Sequence, residues 1–247
     1  MNDNMNDKII DSGKKLCIII PAYNEERNIA GVIKAVRNAL PEGTIVVVND
    51  GSKDKTAETA ISHGATVLSL PVNVGYGAAL QTGFKYSLKN GFRFSLIMDA
   101  DGQHIAEEAH KVLTPVMQGI ADLAVGSRYS GDNVYRGSMI RMLGSLIFSK
   151  LASWSLGFKV TDPTSGFQAM NRRTIEFFCS PVYPSDFPDA DILIATKRAG
   201  LKIVEVPVKM LPPAGGKSMH SGLKPFYYIF KMFFSIFVTF LRKDTAN

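Results

Sequence analysis

Cysteine is scarce in this chain: Cys17 and Cys179 are the two among 247 residues. Two thiols in separate apolar runs supply neither a disulfide framework nor the spacing of a zinc or redox pair, so both are expected as reduced core residues. Residues 1–15 are polar and hold no apolar stretch of the secretory kind, which predicts no export signal. Internal repeats and low-complexity tracts are missing as well, which leaves an ordinary globular chain. Acidic charge is in deficit: 28 Lys and Arg against 22 Asp and Glu give a formal +6. Such a balance favours an anionic partner, whether nucleotide, phospholipid surface or nucleic acid. With 46% hydrophobic residues, the chain has ample material for one large domain or a domain with an appendage.

What is present alternates. Leu16 to Ile20, Thr44 to Val48, Thr66 to Leu70, Phe94 to Met98 and Leu123 to Val125 are short apolar runs of strand length. Between them lie helical patterns: Ile29, Val32, Ile33, Val36 and Leu40; a segment from an expected N-cap at Ser52 to Gly64; Leu80, Phe84 and Leu88; then Ile105, Val112, Leu113 and Val116. Strand and helix in turn predict an α/β fold with a mostly parallel sheet covered on both faces. Each strand is followed by a polar or glycine-bearing loop, and loops at one edge of a parallel sheet are where ligands bind.

The central stretch is Phe94 to His104. It begins as a buried strand and ends in Asp99 and Asp101, whose side chains point the same way in an extended chain. Gln103 continues the series with a neutral oxygen. Oxygen donors of this kind suit Mg²⁺ or Mn²⁺, which keep waters and bridge to phosphates. Asp-Ala-Asp-Gly by itself also has the composition of a simple turn. An EF-hand is excluded because Gly at the sixth position and Glu at the twelfth are missing. A dinucleotide fingerprint fails too: Gly75-x-Gly77 follows the third strand, and Leu80 stands where the third glycine belongs.

Pro21-Ala-Tyr-Asn-Glu-Glu26, Val48-Asn-Asp-Gly-Ser52, Asn73-Val-Gly-Tyr-Gly77 and Asp99-Ala-Asp-Gly-Gln-His104 resemble, in order, the motifs of family 2 glycosyltransferases. Thr161-Asp-Pro-Thr-Ser-Gly-Phe-Gln168 resembles the acceptor-side motif of their dolichyl-phosphate mannose synthase branch. The resemblance runs from about Leu16 to Ser218. It implies a GT-A fold and an inverting transfer from a nucleoside-diphosphate sugar to a polyprenyl phosphate, with no nucleic acid involved. It also implies that Pro21, Tyr23, Glu25 and Asp50 hold the nucleoside, Tyr23 offering a stacking face and Asp50 accepting a ring N–H. Asn73 and Gly77 would lie along the ribose or diphosphate, Gly75 and Gly77 allowing close backbone approach. Asp99, Asp101 and Gln103 match the family's ligands for metal and diphosphate.

On the acceptor side the same resemblance implies Arg128, Arg141 and Ser145 as phosphate-binding residues, with Thr164 and Ser165 in the loop beneath the sugar. Arg141 and Ser145 lie one turn apart on a helix expected from about Ser138 to Leu156. Asp189 and Asp191 stand where many family members carry a catalytic base. A sugar hydroxyl needs one and a lipid phosphate does not, and acids at a helix start also have a dipole role. Both readings stay open here. Glu205-Val-Pro-Val208 matches the last strand. Where the branch has arginine before a Gly-x-Ser-Lys turn, this chain has Pro212 to His220, leaving Lys217 as the cation for the diphosphate.

Residues 225–241 are apolar almost all round, with Lys231 near the middle and Lys224, Arg242 and Lys243 at the flanks. That pattern predicts a helix lying in the membrane interface, or one covered by a small membrane protein. The expected organisation is thus a polar segment 1–15, a transferase domain 16–218 and a membrane-associating tail 219–247, acting at the cytoplasmic face of the cell membrane.

Overall fold

A computed structural model describes residues 16–129, 153, 160–186 and 188–212. Strands β1 (Leu16–Ala22), β2 (Thr44–Asn49), β3 (Thr66–Ser69), β4 (Phe94–Ile97) and β5 (Leu123–Ser127) fall where the apolar runs predict them. Helices α1 (Ile29–Ala39), α2 (Thr56–Ser62), α3 (Tyr76–Lys89) and α4 (Ala109–Met117) link them in turn. Then come β6 (Gln168–Asn171), α5 (Arg172–Phe178), α6 (Ala190–Arg198) and β7 (Ile203–Pro207).

The described strands form one sheet in the order β3-β2-β1-β4-β6-β5-β7. Successive residues of a strand face opposite sides, and β1 shows the consequence. Ile18 and Ile20 pack with Ile29, Ile33 and Val36 of α1 and Val112 and Leu113 of α4. Cys17 and Ile19 face the other way, toward Leu80 and Phe84 of α3 and Ile175 and Phe178 of α5. The sheet is therefore covered on both faces, as expected. Phe84, Phe178 and Tyr183 pack ring on ring at 5.0–5.4 Å, tying α3 and α5 to the turn before α6. Fully burying each large apolar side chain contributes about 1.5–3 kcal/mol. Cys17 is fully buried, and burial pushes its thiol up to about 12 against a smaller opposing hydrogen bond with Ser87. Cys179 is only partly buried, at the end of α5 rather than within the core.

The sheet is mostly parallel, as expected; β6 alone among the described strands runs antiparallel to its neighbours β4 and β5, with Ile97 opposite Gln168 and Val125 opposite Gln168 on the other side. One expectation is corrected. The helix expected to start at Ser52 starts at Thr56 instead. Ser52 is taken up by the neighbouring loop, its Oγ accepting the Asn24 N–H at 3.0 Å while its own N–H goes to Asn49 Oδ1 at 3.1 Å.

The strand order reverses direction beside β1, where the chain has gone outward through β2 and β3 and returns at β4. Such a switch point opens a crevice at the carboxyl ends of the strands. The tail 219–247 and, apart from Ser153, the helix expected over 138–156 lie outside the described residues. Among the described residues no helix is long and apolar enough to cross a membrane.

Candidate active site

Asp99 follows β4 at this crevice, its side chain about 31% exposed. Tyr76 donates its hydroxyl to Asp99 Oδ1 at 2.9 Å. The Asp99 backbone N–H donates to His104 Nδ1 at 3.0 Å, so the ring hydrogen sits on Nε2, 3.4 Å from Asp99 Oδ2. His104 is held in turn by Phe167, stacked on it at 4.8 Å and 15°. Asp101 faces back on its own turn, where Oδ1 accepts the Gln103 N–H at 2.9 Å and Oδ2 the Gln103 side-chain amide. Gln103 thus holds Asp101 through its two N–H groups.

The donor-side loops clasp each other. Asn24 adopts φ 57°, and its Oδ1 accepts the Lys53 N–H at 2.8 Å. The Glu25 N–H goes to Thr56 Oγ1 at 2.8 Å and the Glu26 N–H to Asp54 at 3.1 Å. Pro21 is buried at the end of β1, and Tyr23 stands on the rim, 45% exposed. Asp50 lies deeper than expected, 4% exposed, its two oxygens accepting the N–H groups of Val74 (2.8 Å) and Gly75 (3.0 Å). Its visible work is to shape the loop before α3, which Asn73 supports by donating to the Asp50 carbonyl at 3.3 Å.

Gly77 needs correcting. A side chain there would overlap the Pro184 carbonyl oxygen, and the Gly77 N–H already donates to the Asp186 carbonyl at 2.7 Å. Its close approach is to the turn before α6, not to an open ligand space.

Three of the expected acceptor residues make hydrogen bonds within the 161–168 loop and its support. Arg128 is committed to buried Asp162, with Nε 2.7 Å from Oδ2 and Nη2 2.8 Å from Oδ1. Burial works against the Arg128 charge, but the Asp162 bonds and charge outweigh it and strengthen its hold on the proton. Thr164 Oγ1 accepts from the same guanidinium at 3.2 Å. Ser165 is buried, 3% exposed, and its Oγ accepts the Phe167 N–H at 3.3 Å. Glu205 on β7 braces the loop from behind by accepting the N–H groups of Thr161 and Asp162. Arg141, Ser145 and Lys217 lie outside the described residues.

Gly166 is where the 161–168 loop meets Asp99: a Cβ there would stand 3.2 Å from Asp99 Oδ2 and 2.7 Å from the Tyr76 hydroxyl. Tyr183 and Asp189 are also near enough to act on Tyr76. Burial foremost, then the Asp99 charge, pushes the Tyr76 hydroxyl well above the usual tyrosine value, with Asp189 adding to it. Tyr183 is raised by burial and by Asp191 and Asp189. Asp191 is buried, accepting the Ile192 N–H at 2.8 Å and the Asp189 N–H at 3.1 Å at the start of α6.

A hard divalent cation suits this donor set. Glu25 is raised above the usual carboxylate value by burial, with Asp101, Asp54 and Asp99 adding repulsion against one opposing bond from Asn28. Acids crowded in this way call for positive charge. No three His, Cys, Asp or Glu side chains among the described residues converge on one point. Asp99 and Asp101 offer carboxylate oxygens of the kind that suits Mg²⁺ or Mn²⁺, each now engaged by a neighbour: Asp99 by Tyr76 and His104, Asp101 by Gln103. Sequence reasoning missed Tyr76 and His104 as site residues; both stood inside quoted motifs, and only their spacing from Asp99 in three dimensions distinguishes them.

The family model described as glycosyl transferase family 2 matches residues 17–178. The chain is 32% identical over 218 residues to polyprenol monophosphomannose synthase of Mycolicibacterium smegmatis, covering 85% of this chain and 82% of that one. It is 27% identical over 237 residues to UDP-N-acetylglucosamine--dolichyl-phosphate N-acetylglucosaminyltransferase of Methanococcus voltae, covering 87% and 94%. In fold it is similar to glucosyl-3-phosphoglycerate synthase of Mycobacterium tuberculosis, solved with Mn²⁺, UDP and glucosyl-3-phosphoglycerate. The TM-score is 0.68 at 20% identity, covering 98% of this chain and 84% of that one.

Proposed function

The chain belongs to glycosyl transferase family 2 and is a glycosyltransferase, and from that premise we propose that it moves one sugar from a nucleoside-diphosphate donor to a polyprenyl phosphate, with inversion. The observation that carries this reading is the meeting of Gly166 with Asp99, which sets the acceptor-side loop against the donor-side carboxylate. The names of the two relatives, both lipid-phosphate transferases, support the acceptor class.

Asp99 and Asp101 would hold Mg²⁺ or Mn²⁺ together with the donor diphosphate, and the ion supplies positive charge against the leaving group. Tyr23 offers the nucleoside an exposed ring, while Asp50 keeps the 73–75 loop in place beside it. An ionised lipid phosphate attacks the anomeric carbon in line and needs no proton removed. That suits Asp191, whose carboxylate is occupied at the start of α6. Arg128, locked to Asp162, shapes the acceptor loop; Arg141 and Ser145 remain the candidates for gripping the phosphate, and Lys217 for the diphosphate. The apolar tail, with its flanking cations, would bring the site to the cytoplasmic face of the membrane, either on lipid directly or against a membrane partner.

The deciding experiment measures nucleoside diphosphate released from a panel of UDP- and GDP-sugars, with and without polyprenyl phosphate. Release that requires both the lipid phosphate and a divalent cation is expected. Release driven equally well by a glycan hydroxyl acceptor would replace this reading.

A further inference from the structure

Tyr76 opens α3, yet its hydroxyl reaches across the crevice to Asp99, 2.9 Å away. The backbone that carries it is anchored to the turn before α6. The first turn of α3 is tied down by the Gly77 and Ala78 N–H groups, which donate to the Asp186 and Ser185 carbonyls at 2.7 and 2.8 Å. Gly75, at φ 100°, lets the chain enter this turn at an angle that ordinary residues resist. Gly166 closes the other side, since even a methyl group there would stand 2.7 Å from the hydroxyl. Meanwhile His104 faces the second oxygen of Asp99, stacked in place by Phe167. A carboxylate faced by donors on both oxygens presents one orientation rather than many, and such outer partners govern how well a ligand meets its metal.

We propose that Tyr76 is a positioning residue, whose hydroxyl sets the Asp99 carboxylate for a divalent cation, from a first turn of α3 tied to residues 185–186 and with Gly166 close against the hydroxyl. This rests on the reading of Asp99 as a cation ligand given above.

The test uses the full chain and the electron paramagnetic resonance of free Mn²⁺, in the presence of UDP and, separately, of GDP. Tyr76→Phe keeps the ring and removes only the hydroxyl. Its Mn²⁺ Kd should rise about 10- to 100-fold, the usual effect of losing an outer partner. Its melting midpoint and metal-free nucleotide affinity should stay unchanged, and excess Mn²⁺ should restore turnover. Gly166→Ala, which presses on the hydroxyl, should raise the Kd in the same direction. An unchanged Kd in Tyr76→Phe, beside a site abolished by Asp99→Asn, overturns the role of Tyr76 and leaves that of Asp99 standing. A rise seen only together with a lowered melting midpoint overturns it equally. No Mn²⁺ binding by the unaltered protein, or binding untouched by Asp99→Asn, overturns both.

Discussion

Arg128 meets Asp162 edge to edge, two parallel N–H···O bonds at 2.7 and 2.8 Å, and the Arg128 backbone N–H adds a third at 3.1 Å. Asp162 has no solvent exposure, whereas Arg128 keeps about a quarter of its side chain in water. The fork joins the end of β5 to the loop that carries Gly166, so an arginine that the family resemblance assigns to the acceptor is here a fastener of the acceptor loop.

Asp162→Asn should therefore destabilise the fold. Breaking a buried ion pair by removing one partner costs about 3–5 kcal/mol, and partial exposure of Arg128 places this case near the lower end. Urea denaturation followed by circular dichroism measures it. A midpoint equal to that of the unaltered protein would mean that the loop stands without the fork.

Glu25→Gln should stabilise the protein at neutral pH. The folded state raises the Glu25 value, through burial first and acid repulsion after it. Such a carboxyl binds its proton more tightly folded than unfolded, so its contribution is fully present below the ordinary value of 4.5 and is lost as pH rises through the raised one. Melting curves of the two proteins should accordingly separate at pH 7, with Gln higher, and converge below that ordinary value. A lower melting point for Gln at pH 7 would show the Asn28 bond to be the larger effect.

Gly77→Ala separates packing from ligand approach. The added methyl meets backbone of residues 184–185, which is fixed by hydrogen bonds to α3, so a loss of about 1–3 kcal/mol is expected, as for overpacking. Unchanged stability with a raised donor KM would restore the diphosphate role.

Asp189→Asn and Asp191→Asn report on the acceptor. For a phosphate nucleophile each change should reduce turnover only modestly, and Asn at 191 keeps an oxygen for the Ile192 N–H. A loss of about 10²–10⁴-fold without unfolding is the scale of a general base and would point to a hydroxyl acceptor.

Deleting residues 224–247 tests the location of the reaction. The shortened chain should leave the membrane pellet and lose transfer to long polyprenyl phosphates while retaining donor binding. Retention in the pellet, or failure of the full chain to float with anionic vesicles, would reassign the tail to packing or to a protein partner.

The parallel half of the fold was readable because its signals are local. Leu16–Ala22 and the Ile45 to Val48 run of β2 are unbroken apolar stretches, and α1 repeats its buried residues at helical spacing. β6 was not readable: Gln168-Ala-Met-Asn171 has polar ends and only two apolar residues, and it is a strand because β4 and β5 pair with it. The carboxylates at 99 and 101 announced themselves by spacing, whereas Tyr76 is bonded to a residue 23 positions away and no periodicity connects them. Asp50, Gly77 and Arg128 were legible as motif letters. What they touch depends on loops packed from elsewhere, which is why each proved to hold a neighbour.

The reversed direction of β6 has a consequence for how such a protein can change. β5 ends at Ser127 at the same sheet edge from which β6 sets out at Gln168, because the two run in opposite senses. The chain between them therefore leaves and re-enters the sheet at one edge, the edge that bears Asp99. No described strand draws on residues 130–159, so a change of length there is expected to leave the register and order of the described strands in place. The two ends of that stretch meet at the Arg128–Asp162 fork, which ties them together at the edge beside Asp99.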